Sequence, residues 1–168
     1  MGIFSNLFKQ PSSQPPTVPT ILPQTAKQQI ASGILPSLNV DKILLKSGEV
    51  CHYADKAIYE KKIVSKHYVR HNQGVSMPGI FKGDRVHFGG GDTQVEQNIT
   101  YEQIKGYLFV TNRRIVFVGE NEGFDEKVTD IVAITPYANC IMLQFAKKEY
   151  KVFVPDGNIV NQVIRIIV

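Results

Sequence analysis

The chain has no tryptophan, only two cysteines and three methionines in 168 residues. Cys51 and Cys140 lie far apart and outside any C-x-x-C pair, so they cannot staple a disulfide scaffold or build a zinc ribbon. They read instead as reduced thiols. No apolar run approaches the ~20 residues that cross a bilayer as a helix. An excess of one charge is also missing: 19 Lys and Arg against 15 Asp and Glu leave a net charge of +4. Strong nucleic-acid binders concentrate basic residues into a stripe, so nucleic acid is not an expected partner. The opening Met1–Phe8 lacks the charged leader and longer apolar stretch of a secretory signal. Asn6 stands where the myristoylation pattern wants Ser or Thr. The expected location is therefore cytoplasmic, with at most peripheral contact to a membrane. What remains, 43% hydrophobic and 20% charged residues, is the composition of a folded domain.

Residues 1–40 differ from the rest. They hold Pro11, Pro15, Pro16, Pro19, Pro23 and Pro36, six of the nine prolines, and their only charged side chains are Lys9 and Lys27. A stretch this rich in Pro, Ser, Gln and Thr buries too little apolar surface to offset its ordering entropy. Residues 1–38 are therefore expected to be a flexible tail, and 39–168 the folded domain. Ile3, Phe4, Leu7 and Phe8 have helical spacing and are candidates for a membrane or partner anchor. The competing reading is a frayed terminus, since so short a helix is marginal alone. A short helix is expected across residues 25–31.

The domain itself reads as strands. Val50–Tyr53 is one. Residues 57–71, with Ile58, Tyr59, Ile63, Val64, Tyr68 and Val69, make a long strand, possible bulge included. Glycines punctuate 72–92 around two short extended pieces, 80–82 and 86–88. The clearest segment is the hairpin 106–111 and 114–119, whose nearly continuous apolar runs imply a buried, central position. A strand follows at 124–128, then an edge of sheet or a connecting bend at 130–135, and a second hairpin at 141–145 and 150–154. Ile159, Val160, Val163, Ile164 and Ile167 then fall on one broad helical face, with Asp156 or Asn158 placed as its N-cap.

The segment Lys105-Gly106-Tyr107-Leu108-Phe109-Val110-Thr111-Asn112-Arg113-Arg114-Ile115-Val116-Phe117 resembles the signature of GRAM domains. In that family a Gly, an aromatic–aliphatic strand, a Thr-Asn-basic-Arg turn and an apolar strand ending in Phe recur. Gly48, Glu49, His52 and Tyr53, and further on Lys82-Gly83, resemble pieces of bacterial proteins carrying one such domain behind a variable tail. The resemblance covers residues 41–168 and implies a pleckstrin-homology-like fold. That fold is mainly β (α+β), a bent antiparallel sheet or barrel capped by a C-terminal α-helix. Gly106, Thr111, Asn112, Arg113 and Arg114 are expected to hold the fold. Thr111 and Asn112 suit a turn, and the following Arg can pair with a carboxylate or cover a sheet edge with its stem.

No catalytic constellation stands out, so the chain is not expected to be an enzyme, and no cofactor is expected. Cys51 and His52 are neighbours on a strand and point to opposite faces, which rules out a nucleophile–base pair between them. His67 and His71 would be about 13 Å apart on a strand, with no further metal ligands in good spacing. Basic residues crowd 56–71. Lys62, Lys66 and Arg70 share a face if the stretch is a strand, with Lys82 and Arg85 following. The resemblance implies a site for anionic headgroups near the open end of the early strands, and these five residues are the candidates for it. The expected function is a binding module that contacts an anionic membrane surface. The alternative is a protein-interaction adaptor or a homo-oligomerising domain, in which a strand edge or the tail binds a partner.

Overall fold

The structure is a computed structural model and describes residues 14–72, 75–78, 85–88 and 91–168; side chains from 70 to 94 are outside that description. In chain order the elements are α1 (Gln24–Ala31), β1 (Cys51–Asn72), β2 (Val75–Pro78), β3 (Arg85–Phe88) and β4 (Gly91–Thr111). Then follow β5 (Arg114–Gly119), β6 (Gly123–Lys127), a 3-10 turn (Val128–Asp130), β7 (Ile131–Pro136), β8 (Cys140–Phe145), β9 (Glu149–Phe153) and α2 (Gly157–Ile167). The fold is mainly β, an antiparallel seven-stranded sheet with a C-terminal helix, as the sequence leads one to expect. The strand order is β6-β5-β4-β1-β9-β8-β7, and β2 and β3 pair only with each other. Chain contacts define two compact units. One comprises the described residues up to Lys61 together with Gln103–Val168, and the other is Lys62–Glu102.

Within the first unit, two meanders meet where β1 pairs β9, Ile58 lying opposite Phe153 and Glu60 opposite Lys151. The hairpin β4–β5 sits inside the sheet because both strands are apolar on both faces. Leu108, Val110, Ile115 and Phe117 point into the main core, while Phe109 and Val116 enter a second cluster with Ile43 and Cys51. Gly106 lies opposite Gly119, and a side chain at either position would collide with the Phe117 ring and with backbone. An aromatic group fills the core beneath them. Phe124 stacks on Tyr150 with centroids 4.0 Å apart, and Tyr59 meets Phe117, Phe124 and Tyr150 edge-on.

The terminal helix forms as its spacing demands. Val160, Val163 and Ile164 are fully buried, and the Asp156 carboxylate accepts from the Asn158 N–H as N-cap. Each such side chain removed from water is worth about 1.5–3 kcal/mol. Gly157 starts the helix against the carbonyls of Tyr137 and Cys140, where no Cβ fits.

The expected boundary at residue 38 does not hold. Leu22, Ala26 and Ile30 are buried in the main core, and Val18 packs with Cys140 and Phe153. The helix expected at 25–31 is α1. The Ile30 carbonyl accepts from the Gln162 side-chain amide at 2.7 Å, tying α1 to α2. The buried Asp55 carboxylate takes the Thr20 hydroxyl at 2.7 Å and the Ile21 N–H at 2.6 Å. The segment from Val18 to Leu38 is thus part of the folded unit, because four apolar contacts and a buried carboxylate offset an ordering entropy that its composition alone does not. Ile30→Ala is expected to lower the free energy of unfolding by about 2 kcal/mol, since a short helix relaxes into part of the cavity. A urea midpoint at pH 7 measures it, and an unstructured tail would show no change. The domain expected as one piece from 39 to 168 also divides, with 62–102 forming its own unit. Ile3, Phe4, Leu7 and Phe8 lie outside the described residues.

Candidate functional site

Thr111, Asn112 and Arg114, at the β4–β5 turn, come together around Glu49 and its neighbours. The turn and loop ahead of β1 carry Gly48, Glu49 and Val50 past the tight β4–β5 turn, where Asn112 clamps them. The Asn112 side-chain oxygen accepts from the Val50 N–H at 3.0 Å, and its amide donates to the Gly48 carbonyl at 3.1 Å. Thr111 is fully buried, and its hydroxyl donates to Glu49 Oε1 at 2.8 Å while accepting the N–H groups of Arg113 and Arg114. Arg114 donates from Nε to Glu49 Oε1 at 2.7 Å, and its other nitrogens reach Asp125 and the Leu44 carbonyl. Arg113 is exposed. Burial alone would raise the Glu49 carboxyl. The hydrogen bonds from Arg114, the Lys46 N–H and Thr111, with the Arg114 charge, outweigh it and hold the group at about 2. This network is a structural clamp with its ligands already supplied by the protein.

The sign of its pH dependence follows. A carboxyl lowered in the fold from 4.5 to about 2 contributes stability above its ordinary value and loses it as pH falls. The contribution is on the order of 3 kcal/mol. Stability is expected to decline by that order between pH 4.5 and about 2, beyond what exposed carboxylates explain. Denaturant titrations across this range, compared with Glu49→Gln, check it.

Cys51 and His52 each have a partner within the fold. Cys51 is fully buried, burial pushes its thiol up to about 11, and it donates to the Tyr53 carbonyl. His52 is anchored by donating Nδ1–H to the Pro36 carbonyl at 2.7 Å. Among the described residues no group of three or more His, Cys, Asp and Glu could hold a metal. Also among the described residues, no helix is long and apolar enough to cross a membrane.

The feature that invites a ligand is a groove in the first unit. It has a volume of about 670 Å³ and carries Lys42, Lys56 and Lys105 against one carboxylate, Glu120. Its walls are apolar, formed by Val18, Ile58, Tyr107 and Val118. Strand alternation builds it: Lys105 and Tyr107 share one face of β4, and Lys56 and Ile58 one face of β1, the neighbouring strand. The segment ahead of β1 brings in Lys42, whose ammonium lies 4.6 Å from the centre of the Tyr107 ring. Among the described residues none of the three lysines makes an ion pair. A second groove of about 340 Å³ shares Lys42 and Tyr107 with the first; Ile21, Leu38, Val40, Ala54 and Phe109 line it together with the polar Ser37, Asn39 and Asp41.

The headgroup residues expected from the sequence lie elsewhere. Lys62 and Lys66 stand exposed on β1 in the 62–102 unit and do not line this groove. The side chains of Arg70 and Arg85 are outside the described residues, as is Lys82 altogether. Of the groove lysines, only Lys56 belongs to the crowded basic stretch; Lys42 and Lys105 carry no local signal. A scan of family models, a search of curated proteins and a search of solved structures each return no match to this chain.

Proposed function

We propose that this chain is a non-enzymatic binding module of GRAM or pleckstrin-homology-like type that makes peripheral contact with anionic lipid headgroups. One observation carries the reading: three lysines that make no ion pair among the described residues line one groove with apolar walls. A phosphate or carboxylate headgroup would have no ion pair of these lysines to break among the described residues. The adjoining groove shares Lys42 and Tyr107, and its apolar side, Ile21, Leu38, Val40, Ala54 and Phe109, suits the first carbons below a headgroup. No cofactor or metal enters this reading. Each lysine near an anionic surface is worth about 1 kcal/mol, and the attraction fades within a Debye length. The test is co-sedimentation of the full chain with neutral and anionic vesicles at low and near-physiological salt. Binding restricted to anionic vesicles and weakened by salt supports the proposal. Equal binding to both, or none, removes it.

A further inference from the structure

We propose that the 62–102 unit joins copies of this chain, the free edge of β1 in one copy pairing with the free edge of β4 in the next. The argument begins with strand lengths. β1 has 22 residues, but β9, its outer neighbour, has five and pairs only up to Glu60. β4 has 21 residues, and its outer neighbour β5 pairs only from Gly106 onward. β2 and β3 pair with each other alone. Among the described residues, no strand covers β1 beyond residue 61 or β4 before residue 103 on these outer sides. Such edges present rows of free N–H and C=O groups that template pairing with another chain.

The side chains fit that use. Ile63, Val64, Tyr68, Val95, Ile99 and Tyr101 are all exposed large apolar residues of these two stretches. They are β-branched or aromatic, the residues that gain most from cross-strand neighbours. A two-stranded ribbon is marginal by itself in water, so added strands would stabilise it. Charge then selects the pairing. Residues 62–69 of β1 carry Lys62, Lys66 and His67 and no carboxylate, whereas 95–102 of β4 carry Glu96 and Glu102 and no cation. Pairing β1 with β1, or β4 with β4, sets like charges side by side; pairing β1 with β4 sets lysine beside glutamate. The contact is therefore head-to-tail, which generates a closed ring or an open filament rather than a two-fold dimer.

The experiment is light scattering and sedimentation of the full chain over a range of concentrations, at low and high salt. The expected result is assemblies larger than a dimer that shrink as salt rises. K62E/K66E makes both edges acidic, and E96K/E102K makes both basic. Each is expected to weaken association by about tenfold or more, and an equimolar mixture to restore it in alternating order. A wild-type monomer would mean that Lys62 and Lys66 merely guard an edge, and a two-fold dimer would mean a like-with-like contact. Either result overturns the proposal. So does assembly indifferent to both charge swaps, or a mixture that stays dissociated while both variants keep the wild-type circular dichroism.

Discussion

Arg114→Met is expected to lower the free energy of unfolding by about 3–5 kcal/mol at pH 7, the usual cost of removing one partner of a buried ion pair. The loss arises mainly at Glu49, whose side chain has no solvent exposure and would keep only the Lys46 N–H and the Thr111 hydroxyl as donors. The Asp125 contact contributes little, because that carboxylate is half exposed and surface pairs are worth less than about 1 kcal/mol. Two further results follow from the same geometry. Glu49→Met combined with Arg114→Met is expected to recover most of the loss, since an apolar pair of similar volume leaves no buried charge. The gap between wild type and Arg114→Met is also expected to narrow as pH falls toward 2, where Glu49 protonates even in the intact clamp. Urea unfolding of the three proteins at neutral and acidic pH measures all of this. A change below about 1 kcal/mol for Arg114→Met would show that the motif does not hold the fold.

The second large effect concerns the groove. Reversing three charges in K42E/K56E/K105E is expected to weaken binding to anionic vesicles by about a hundredfold at low salt, from about 1 kcal/mol per lysine lost. The loss should shrink toward physiological salt, where screening already weakens the wild-type protein. Stability should change little, because Lys105 and Lys56 make no ion pair among the described residues and Lys42 gives up only its contact with the Tyr107 ring. Unchanged unfolding with lost binding therefore separates a ligand site from a structural one. The same assay on K62E/K66E assigns the basic stretch of β1, whose lysines belong to the 62–102 unit.

The elements most legible in the sequence are those whose local pattern admits one answer. The hairpins 106–119 and 141–154 have apolar runs flanked by turn residues, and 159–167 has a helical face with Asp156 ahead of it. All three form as their patterns dictate. The long strand at 57–71 is also present, but β1 starts at Cys51 and absorbs the short strand expected at 50–53. The N-terminal segment misleads because composition there outweighs spacing. Val18, Leu22, Ala26 and Ile30 recur every four residues and all are buried. Ala26 and Ile30 share a face of α1, while Val18 and Leu22 pack from the chain ahead of it, so apolar residues scattered among prolines and glutamines are enough to dock the segment. The motif residues Thr111, Asn112 and Arg114 are visible as a turn, yet their partners, Glu49 for Thr111 and Arg114 and the Gly48 and Val50 backbone for Asn112, lie more than 60 positions earlier and only folding reveals the pairing. The groove is hidden for the same reason. Lys42, Lys56 and Lys105 come from three separate stretches, and strand pairing rather than sequence proximity places them in one cavity.

The central claim is that an anionic group occupies this groove. The most direct measurement is a titration of the ¹⁵N-labelled full chain with a short-chain anionic phospholipid below its micelle concentration, followed by amide chemical shifts. The account predicts saturable shifts at Lys42, at Lys56–Ile58, at Lys105–Tyr107 and at Val118–Glu120, the backbone that lines the groove. Shifts confined to residues 62–102, or no saturable shift anywhere, would contradict it.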